Sequence, residues 1–148
     1  MSTLTSAPQD TAAVAARLRL AITRLARKMR QEAEPGLTPS MLSALSSLGR
    51  GGELTMRDLC AAEQVQPPTM TRVVAALVEA GLVTRTPDPE DGRVAWVRPT
   101  SAGTKLLERN RRRKEAYLSK ALARLEPRDV ATLEDATRIL ERLAEGSS

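Results

Sequence analysis

The sequence of 148 residues contains no histidine and no phenylalanine, and it has a single cysteine, a single tryptophan and a single tyrosine. Without histidine, the chain cannot form a Ser-His-Asp triad, a Cys-His dyad or a histidine-ligated zinc site. One cysteine cannot supply an internal disulfide, a thiolate zinc site or an iron–sulfur cluster within the chain. We therefore expect no metal or cofactor site, and the core must be built from aliphatic side chains.

Phosphate-binding loops and long apolar runs are also missing. Neither GxxxxGKS/T nor GxGxxG occurs, and the glycine cluster at residues 49–52 lacks their spacing. No apolar run approaches the roughly 20 residues of a membrane span, and residues 1–10 lack the basic start and hydrophobic stretch of a secretory signal. These absences predict a cytoplasmic protein with no membrane partner. Catalysis by carboxylates alone stays open, but no pair of acids stands out, so we expect that the protein is not an enzyme.

The chain has an excess of positive charge, +5 overall with a pI near 10.1. Residues 66–124 carry 12 Lys and Arg against 6 Asp and Glu, whereas the rest of the chain is nearly balanced. A basic chain without catalytic signatures favours an anionic partner, and nucleic acid is the first candidate. The cationic run at residues 109–114 is interpreted as a solvated helix face, because on a helix these residues wrap around the axis.

Six helices are predicted from apolar residues at helical spacing and from the residues that begin and end each segment. The first covers about residues 11–34, and the second begins at Thr38-Pro39, a capping hydroxyl followed by proline. The last two lie between residues 100 and 145, with start signals at Thr100 and Pro127. The first and the last two helices carry more apolar surface than one small domain can cover, which favours a dimer. The stripe of the first helix consists of Val14, Leu18, Ala21, Ile22, Leu25 and Met29.

The third and fourth helices, at about residues 55–80, form a predicted helix-turn-helix. Thr55 begins a capping box, and Pro67 fits the first turn of the fourth helix. The inner face of this recognition helix is expected to hold Met70, Val73, Val74, Leu77 and Val78. The residues expected to contact DNA at its outer N-terminal end are Gln66, Pro67, Thr69, Thr71 and Arg72. Among them Arg72 can read a guanine edge; the alternative for Thr69 and Thr71 is that they only solvate the first turn.

A β-hairpin with a polar tip is predicted at about residues 82–98, because two β-prone segments flank a turn cluster at residues 87–92. Arg93 follows the turn, where a long cation can enter the minor groove of DNA. Asp91 lies two residues earlier and, by the alternation of a strand, would support Arg93 from the same side. An exposed ion pair without a DNA role is the alternative. Trp96 is interpreted as a packing residue of the hairpin.

These segments resemble the MarR family of winged helix-turn-helix transcription regulators over about residues 11–145. Residues 88–103 are similar to the family's D-P-x-D-x-R…V-x-L-T-x-x-G signature, and residues 65–74 resemble its V-S-x-x-T-v-T-r-l-V recognition helix. Two residues depart from the pattern. Pro99 stands where leucine is usual and should end the strand, because it has no N–H to donate. Gly92 leaves the tip of the wing with one cation fewer than in many relatives.

The resemblance implies a mainly α fold with a small β wing, in which a mobile tail at residues 1–10 precedes a single domain at residues 11–145. It implies a homodimer held by the helices at about 11–34 and 100–145, which binds double-stranded DNA at a pseudo-palindromic operator as a transcriptional repressor. It also implies release by a small-molecule effector, for which no residue stands out. From the residues alone, a nucleoid-associated protein that binds DNA without sequence preference is the alternative. Cys60 is expected to be a small packing residue.

Overall fold

The computed structural model describes residues 10–146, and its elements confirm a mainly α fold with a small sheet. Within these residues the order is α1 (Thr11–Gln31), α2 (Pro39–Gly51), β1 (Leu54–Thr55), α3 (Met56–Glu63), α4 (Pro67–Glu79), β2 (Val83–Pro87), β3 (Ala95–Pro99), α5 (Ser101–Ala123) and α6 (Pro127–Ala144). The mobile tail expected at residues 1–10 lies, apart from Asp10, outside the described residues. In the described part of the chain, no helix is both long and apolar enough to cross a lipid bilayer.

The chain divides into two compact units. The reader unit is Glu34–Arg113 and contains α2, α3, α4, the three strands and the first part of α5. The terminal unit consists of the segments that flank it, up to Ala33 and from Lys114, and contains α1, the rest of α5 and α6. The helix-turn-helix and the hairpin therefore belong to one unit.

The helices of the reader unit begin at residues that the sequence marks. The Thr38 hydroxyl accepts a hydrogen bond from the backbone N–H of Met41 at 3.2 Å, and Pro39 follows it at the first helical position. The Thr55 hydroxyl accepts from the backbone N–H of Asp58 at 3.1 Å. Each hydroxyl satisfies an N–H group that has no partner within its own helix. These caps fix where α2 and α3 start.

The core of the reader unit is aliphatic, as the composition requires. One cluster joins side chains from α2, α3, α4, the sheet and α5. Its largest fully buried members are Leu45, Leu48, Leu59, Met70, Val74, Leu77, Val83 and Val97. Cys60 is half-buried and packs against this cluster, in agreement with its expected packing role.

The inner face of α4 is narrower than the sequence pattern predicts. Met70, Val74 and Leu77 are buried, and Val73 is half-buried. The prediction for Val78 is wrong, because its side chain is 43% exposed. Val78 lies at the edge of the apolar stripe near the end of the helix, so it turns away from the cluster that the other residues enter.

The sheet has the strand order β1-β3-β2, and both neighbouring pairs are antiparallel. β2 and β3 form the predicted hairpin, in which Val83 lies opposite Pro99, and the strand ends at that proline as expected. The sequence pattern did not predict β1. Its residue Leu54 pairs with Val97, which ties the hairpin to the segment that leads into α3.

A close junction joins the end of α4, the start of β2 and the start of α5. The Thr100 hydroxyl donates to the carbonyl oxygen of Gly81 at 2.7 Å and accepts from the N–H of Gly103 at 3.1 Å. The Thr100 N–H donates to the carbonyl oxygen of Leu82 at 2.9 Å. A Cβ atom at Gly103 would lie 2.1 Å from that same oxygen, so only glycine allows the approach. We call these four residues the Thr100 junction.

The terminal unit leaves its apolar stripes uncovered, since neither α1 nor α6 contains a buried residue. The exposed large apolar side chains of the α1 stripe are Val14, Ile22 and Leu25, and Leu20 is exposed outside the stripe. Those of α6 are Val130, Leu133, Ile139 and Leu143. An amphipathic helix of a globular protein normally buries such a stripe. In the single chain these faces are exposed to solvent.

Candidate nucleic-acid interface

α4 presents polar residues to solvent at its N-terminal end. Burial of Met70, Val74 and Leu77 turns the opposite side of the helix outward. The residues predicted to contact DNA all lie exposed at this end: Gln66, Pro67, Thr69, Thr71 and Arg72. The structure brings them together on one exposed helix start, and their contact with DNA stays a prediction.

Arg72 is available to an external partner, because its guanidinium has no ion-pair partner within residues 10–146. The same holds, within that range, for Arg57 on α3 and Arg85 on β2, which are also exposed. Sequence reasoning did not single out these two arginines. Neither begins the recognition helix nor follows the hairpin turn, so no motif distinguishes them from other surface cations.

The turn of the hairpin is organised by the carboxylate of Asp88. Its Oδ1 atom accepts from the backbone N–H groups of Glu90 at 2.9 Å and Asp91 at 3.1 Å. Its Oδ2 atom accepts from the indole Nε1–H of Trp96 at 2.8 Å. Sequence reasoning took Trp96 as a packing residue and missed this bond. An aspartate at the start of a turn commonly caps nearby backbone N–H groups, which is a signal for the bonds from Glu90 and Asp91 but not for the bond from Trp96.

The hydrogen bonds to Asp88 change the pKa of its carboxyl. The bond from Trp96, followed by those from the backbone of Glu90 and Asp91, lowers this pKa below its ordinary value. A pKa that falls on folding means that the ionised carboxylate stabilises the folded state above the ordinary pKa of aspartate. This contribution is lost as the pH falls through the lowered pKa, so the turn is fully stabilised at neutral pH.

Arg93 lies at the tip of this turn with its side chain 92% exposed. Its Nε atom donates to Asp91 Oδ1 at 3.2 Å, and its backbone N–H donates to the same oxygen at 3.1 Å. The structure thus pairs the two residues, but strand alternation is not the reason. β3 begins only at Ala95, and the turn itself brings Asp91 beside Arg93. That Asp91 supports Arg93 in contact with DNA remains a prediction.

A second ion pair joins β3 to the residue that precedes β1. Arg98 on β3 donates from Nε to Glu53 Oε2 at 2.8 Å, and its Nη2 atom reaches the same oxygen. Sequence reasoning could not find this pair because the two residues are far apart along the chain. Arg98 itself is not among the predicted DNA contacts.

The cationic run at residues 109–114 is partly neutralised within the reader unit. Arg109 Nε donates to Glu34 Oε1 at 2.5 Å, and Arg111 and Arg112 both lie within ion-pair distance of Glu108. The hydrogen bond between Arg109 and Glu34 is the main cause of a lowered pKa at Glu34 and a raised pKa at Arg109. The four arginines of the run are exposed, in agreement with its interpretation as a solvated helix face. The interpretation is wrong for Asn110, which is buried and accepts a hydrogen bond from the backbone N–H of Glu34 at 3.0 Å.

Comparison with known proteins agrees with this geometry. The sequence model of the MarR family matches residues 36–94, which include α2, α3, α4 and β2. An uncharacterized HTH-type transcriptional regulator of Mycobacterium bovis is 36% identical over 137 residues, which is 92% of this chain and 96% of that protein. The chain belongs to the MarR family. As a member, it is a helix-turn-helix transcriptional regulator, and this class of DNA-binding proteins is not enzymatic.

Solved structures share the fold of this MarR-family chain. A Pseudomonas aeruginosa crystal structure, described as that of a candidate transcriptional regulator, is 32% identical with a TM-score of 0.84, covering 95% of this chain and 100% of that one. A mutant of S. aureus MepR, bound to an oligodeoxyribonucleotide, is 22% identical with a TM-score of 0.70 over 88% of this chain and 97% of its own. At that identity the second likeness shows a common fold. The predicted winged helix-turn-helix of the MarR family is therefore confirmed.

Proposed function

We propose that the protein is a homodimeric repressor that binds a pseudo-palindromic operator and is released by a small-molecule effector. The observation that carries this proposal is the reader unit itself. It combines an exposed polar helix start bearing Arg72 with a hairpin tip bearing Arg93, and the Thr100 junction connects the two. The MepR complex with an oligodeoxyribonucleotide supports DNA as the partner of this fold. Release by an effector is supported by the family resemblance.

In the proposed complex, the start of α4 enters the major groove. The side chains there are short or flexible, which suits base edges that present hydrogen-bond donors, acceptors and thymine methyl groups. Arg72 is the one cation among the five contacts predicted at the start of α4, and a guanidinium can bind O6 and N7 of guanine together. Arg72 would therefore carry base discrimination, and the threonines and Gln66 would supply the surrounding contacts.

Arg93 would enter the neighbouring minor groove from the tip of the wing. The groove narrows in A·T-rich segments, and the more negative potential there attracts an inserted arginine. Because the minor groove presents nearly the same pattern for A·T and T·A pairs, this contact senses width and charge more than sequence. The two cations of the reader unit thus have different expected physical signatures.

Dimerisation is supported by the terminal unit. α1 carries six Lys or Arg and no Asp or Glu, whereas α6 carries three Lys or Arg and four Asp or Glu. A second copy supplies both an apolar surface for the uncovered stripes and charge of the opposite sign for α1. The two reader units of such a dimer would enter successive major grooves about 34–36 Å apart. A dimer bound across a promoter blocks access to it, which makes repression the expected outcome.

Replacing Arg72 with alanine is expected to weaken binding to the operator by about 1–3 kcal/mol and to blur preference at one base pair in each half-site. The physical reason is the loss of a bidentate contact to a base edge. Binding to a scrambled duplex should change much less. Fluorescence anisotropy with the promoter of the protein's own gene and a scrambled duplex measures both effects. Equal losses on the two duplexes would contradict base reading by Arg72.

Replacing Arg93 with alanine is expected to make the plot of log affinity against log salt shallower by about one unit per subunit, up to about two for a dimer. The loss should appear on operator and scrambled duplexes alike, and it should be larger where an A·T-rich segment narrows the groove. Salt titrations of the same duplexes check this result. If wild type itself shows no preference for the operator, the protein is a non-specific, nucleoid-type binder.

A further inference from the structure

The base of the wing contains a polar network that ends at Arg93, one of the proposed DNA contacts. No side chain from Pro89 to Arg93 is buried, so hydrophobic packing does not hold this turn in place. Asp88 and Trp96, at its base, are half-buried instead. The shape of the turn therefore depends on hydrogen bonds.

These hydrogen bonds form one connected path from the sheet to the tip of the wing. Trp96 on β3 donates to Asp88, and Asp88 accepts from the backbone of Glu90 and Asp91. Asp91 in turn accepts from both the backbone and the guanidinium of Arg93. The backbone N–H of Asp88 also donates to the carbonyl of Val94 at 2.8 Å, which closes the turn. Two carboxylates, those of Asp88 and Asp91, thus connect β3 to the exposed cation.

We propose that Asp88, anchored by Trp96, is a positioning residue that holds the wing turn in the conformation in which Arg93 can enter the minor groove. This inference rests on the proposed DNA contact of Arg93. A turn that is ordered before binding loses less conformational entropy when its arginine is fixed in the groove. Asp88 itself would touch no DNA, so its effect must pass through Arg93.

The sign of the effect separates positioning from simple electrostatics. A carboxylate near a polyanion repels it, so removal of a negative charge from the wing should strengthen DNA binding. If Asp88 positions Arg93, its loss should instead weaken binding. D88N keeps the size of the side chain but introduces an amide NH2, which must face an N–H donor either of Trp96 or of the turn backbone. E90Q is the matched control, because it removes the same charge from the same turn and the Glu90 side chain makes no hydrogen bond within the described residues.

The experiment compares wild type, D88N, E90Q and W96F, with circular dichroism as a check that each variant is folded. Trp96 is the only tryptophan in the sequence, so one indole N–H resonance reports its bond to Asp88 in the free protein. We expect this resonance to shift in D88N and to stay in place in E90Q. On the operator, D88N and W96F should bind about tenfold more weakly than wild type, and E90Q should bind as tightly or more tightly.

A double-mutant cycle with R93A decides whether Asp88 acts through Arg93. In the R93A background, D88N should cause no further loss of affinity. The positioning role is overturned if the losses of affinity caused by D88N and R93A add in the double mutant, or if D88N binds the operator as tightly as E90Q does. In either case, operator binding by the wild type still supports the proposed function. Absence of operator binding by wild type overturns the proposed function itself.

Discussion

Replacing Gly103 with alanine is expected to lower the free energy of unfolding by about 3 kcal/mol or more, the upper range for an overpacked site. The added Cβ would lie 2.1 Å from the carbonyl oxygen of Leu82. That oxygen is a backbone atom at the start of the wing, and it already accepts the N–H of Thr100. Neither it nor α5 can move without breaking the Thr100 junction. Urea denaturation followed by circular dichroism measures the change.

G49A is the matched control for G103A, because it also adds a Cβ atom within a helix but against a side chain that can move. A Cβ at Gly49, also within a helix, would lie 2.7 Å from Cδ1 of Leu107, the flexible end of a side chain. Leu107 can rotate away, and alanine is favoured over glycine inside a helix by about 1 kcal/mol. G49A should therefore change stability by no more than about 1 kcal/mol. If G103A and G49A unfold at the same urea concentration, the close approach at Gly103 does not carry the stability that we assign to it.

The second large effect is expected when a charge is placed on the apolar face of α6. I139D, alone or together with L143D, should convert the protein to a monomer and weaken binding to a two-half-site operator by a factor of about 10² to 10⁴. Ile139 is 51% exposed in the single chain, so aspartate there costs little in a monomer. In a dimer the same carboxylate would be buried against an apolar surface without a partner. Each reader unit would then bind its half-site independently, and the gain in affinity from joining two half-site contacts would be lost.

The control for this variant is A131D, which places the same charge among the charged residues of the polar side of α6. It accounts for any direct repulsion between the added carboxylate and DNA. Sedimentation velocity at micromolar concentration measures the oligomeric state, and anisotropy measures affinity for one and two half-sites. A wild-type protein that sediments only as a monomer, or an I139D variant that remains a dimer, would contradict dimerisation through α6.

Much of this fold can be predicted because its signals are local. Threonine and proline mark the starts of α2 and α3, and the turn cluster marks the hairpin, because caps and turns act on neighbouring residues. β1 could not be predicted, since it has two residues and is defined only by pairing with a distant strand. The left-handed end of α3 at Gln64 was also not predicted. Gln64 ends α3 with φ 54°, a conformation that glycine or asparagine would have signalled but glutamine does not.

The candidate site shows the same division between local and distant information. The exposed start of α4 follows from helical periodicity, although Val78 shows that periodicity does not fix the edges of a buried stripe. The pairing of Asp91 with Arg93 was expected, yet it arises from a turn and not from a strand. The bond from Trp96 to Asp88 was missed, because a residue type alone does not say which way an indole N–H points. Side-chain orientation is what the sequence pattern leaves undetermined.

The Thr100 junction has a consequence for the spacing of bases within an operator half-site. Since Thr100 is bonded to Gly81 and Leu82, no flexible linker separates the end of the recognition helix from the start of the wing. The reader unit therefore holds the recognition helix and the base of the wing at a fixed separation. If α4 and Arg93 contact DNA as proposed, the protein would set the distance along the DNA between the base pair at α4 and the groove at Arg93. We expect that a half-site in which this distance is longer by one base pair would be bound only if the DNA bends or twists to restore it. In the proposed complex each half-site would therefore have a required length as well as a sequence, and the bonds of Thr100 to the carbonyl oxygens of Gly81 and Leu82 would determine that length.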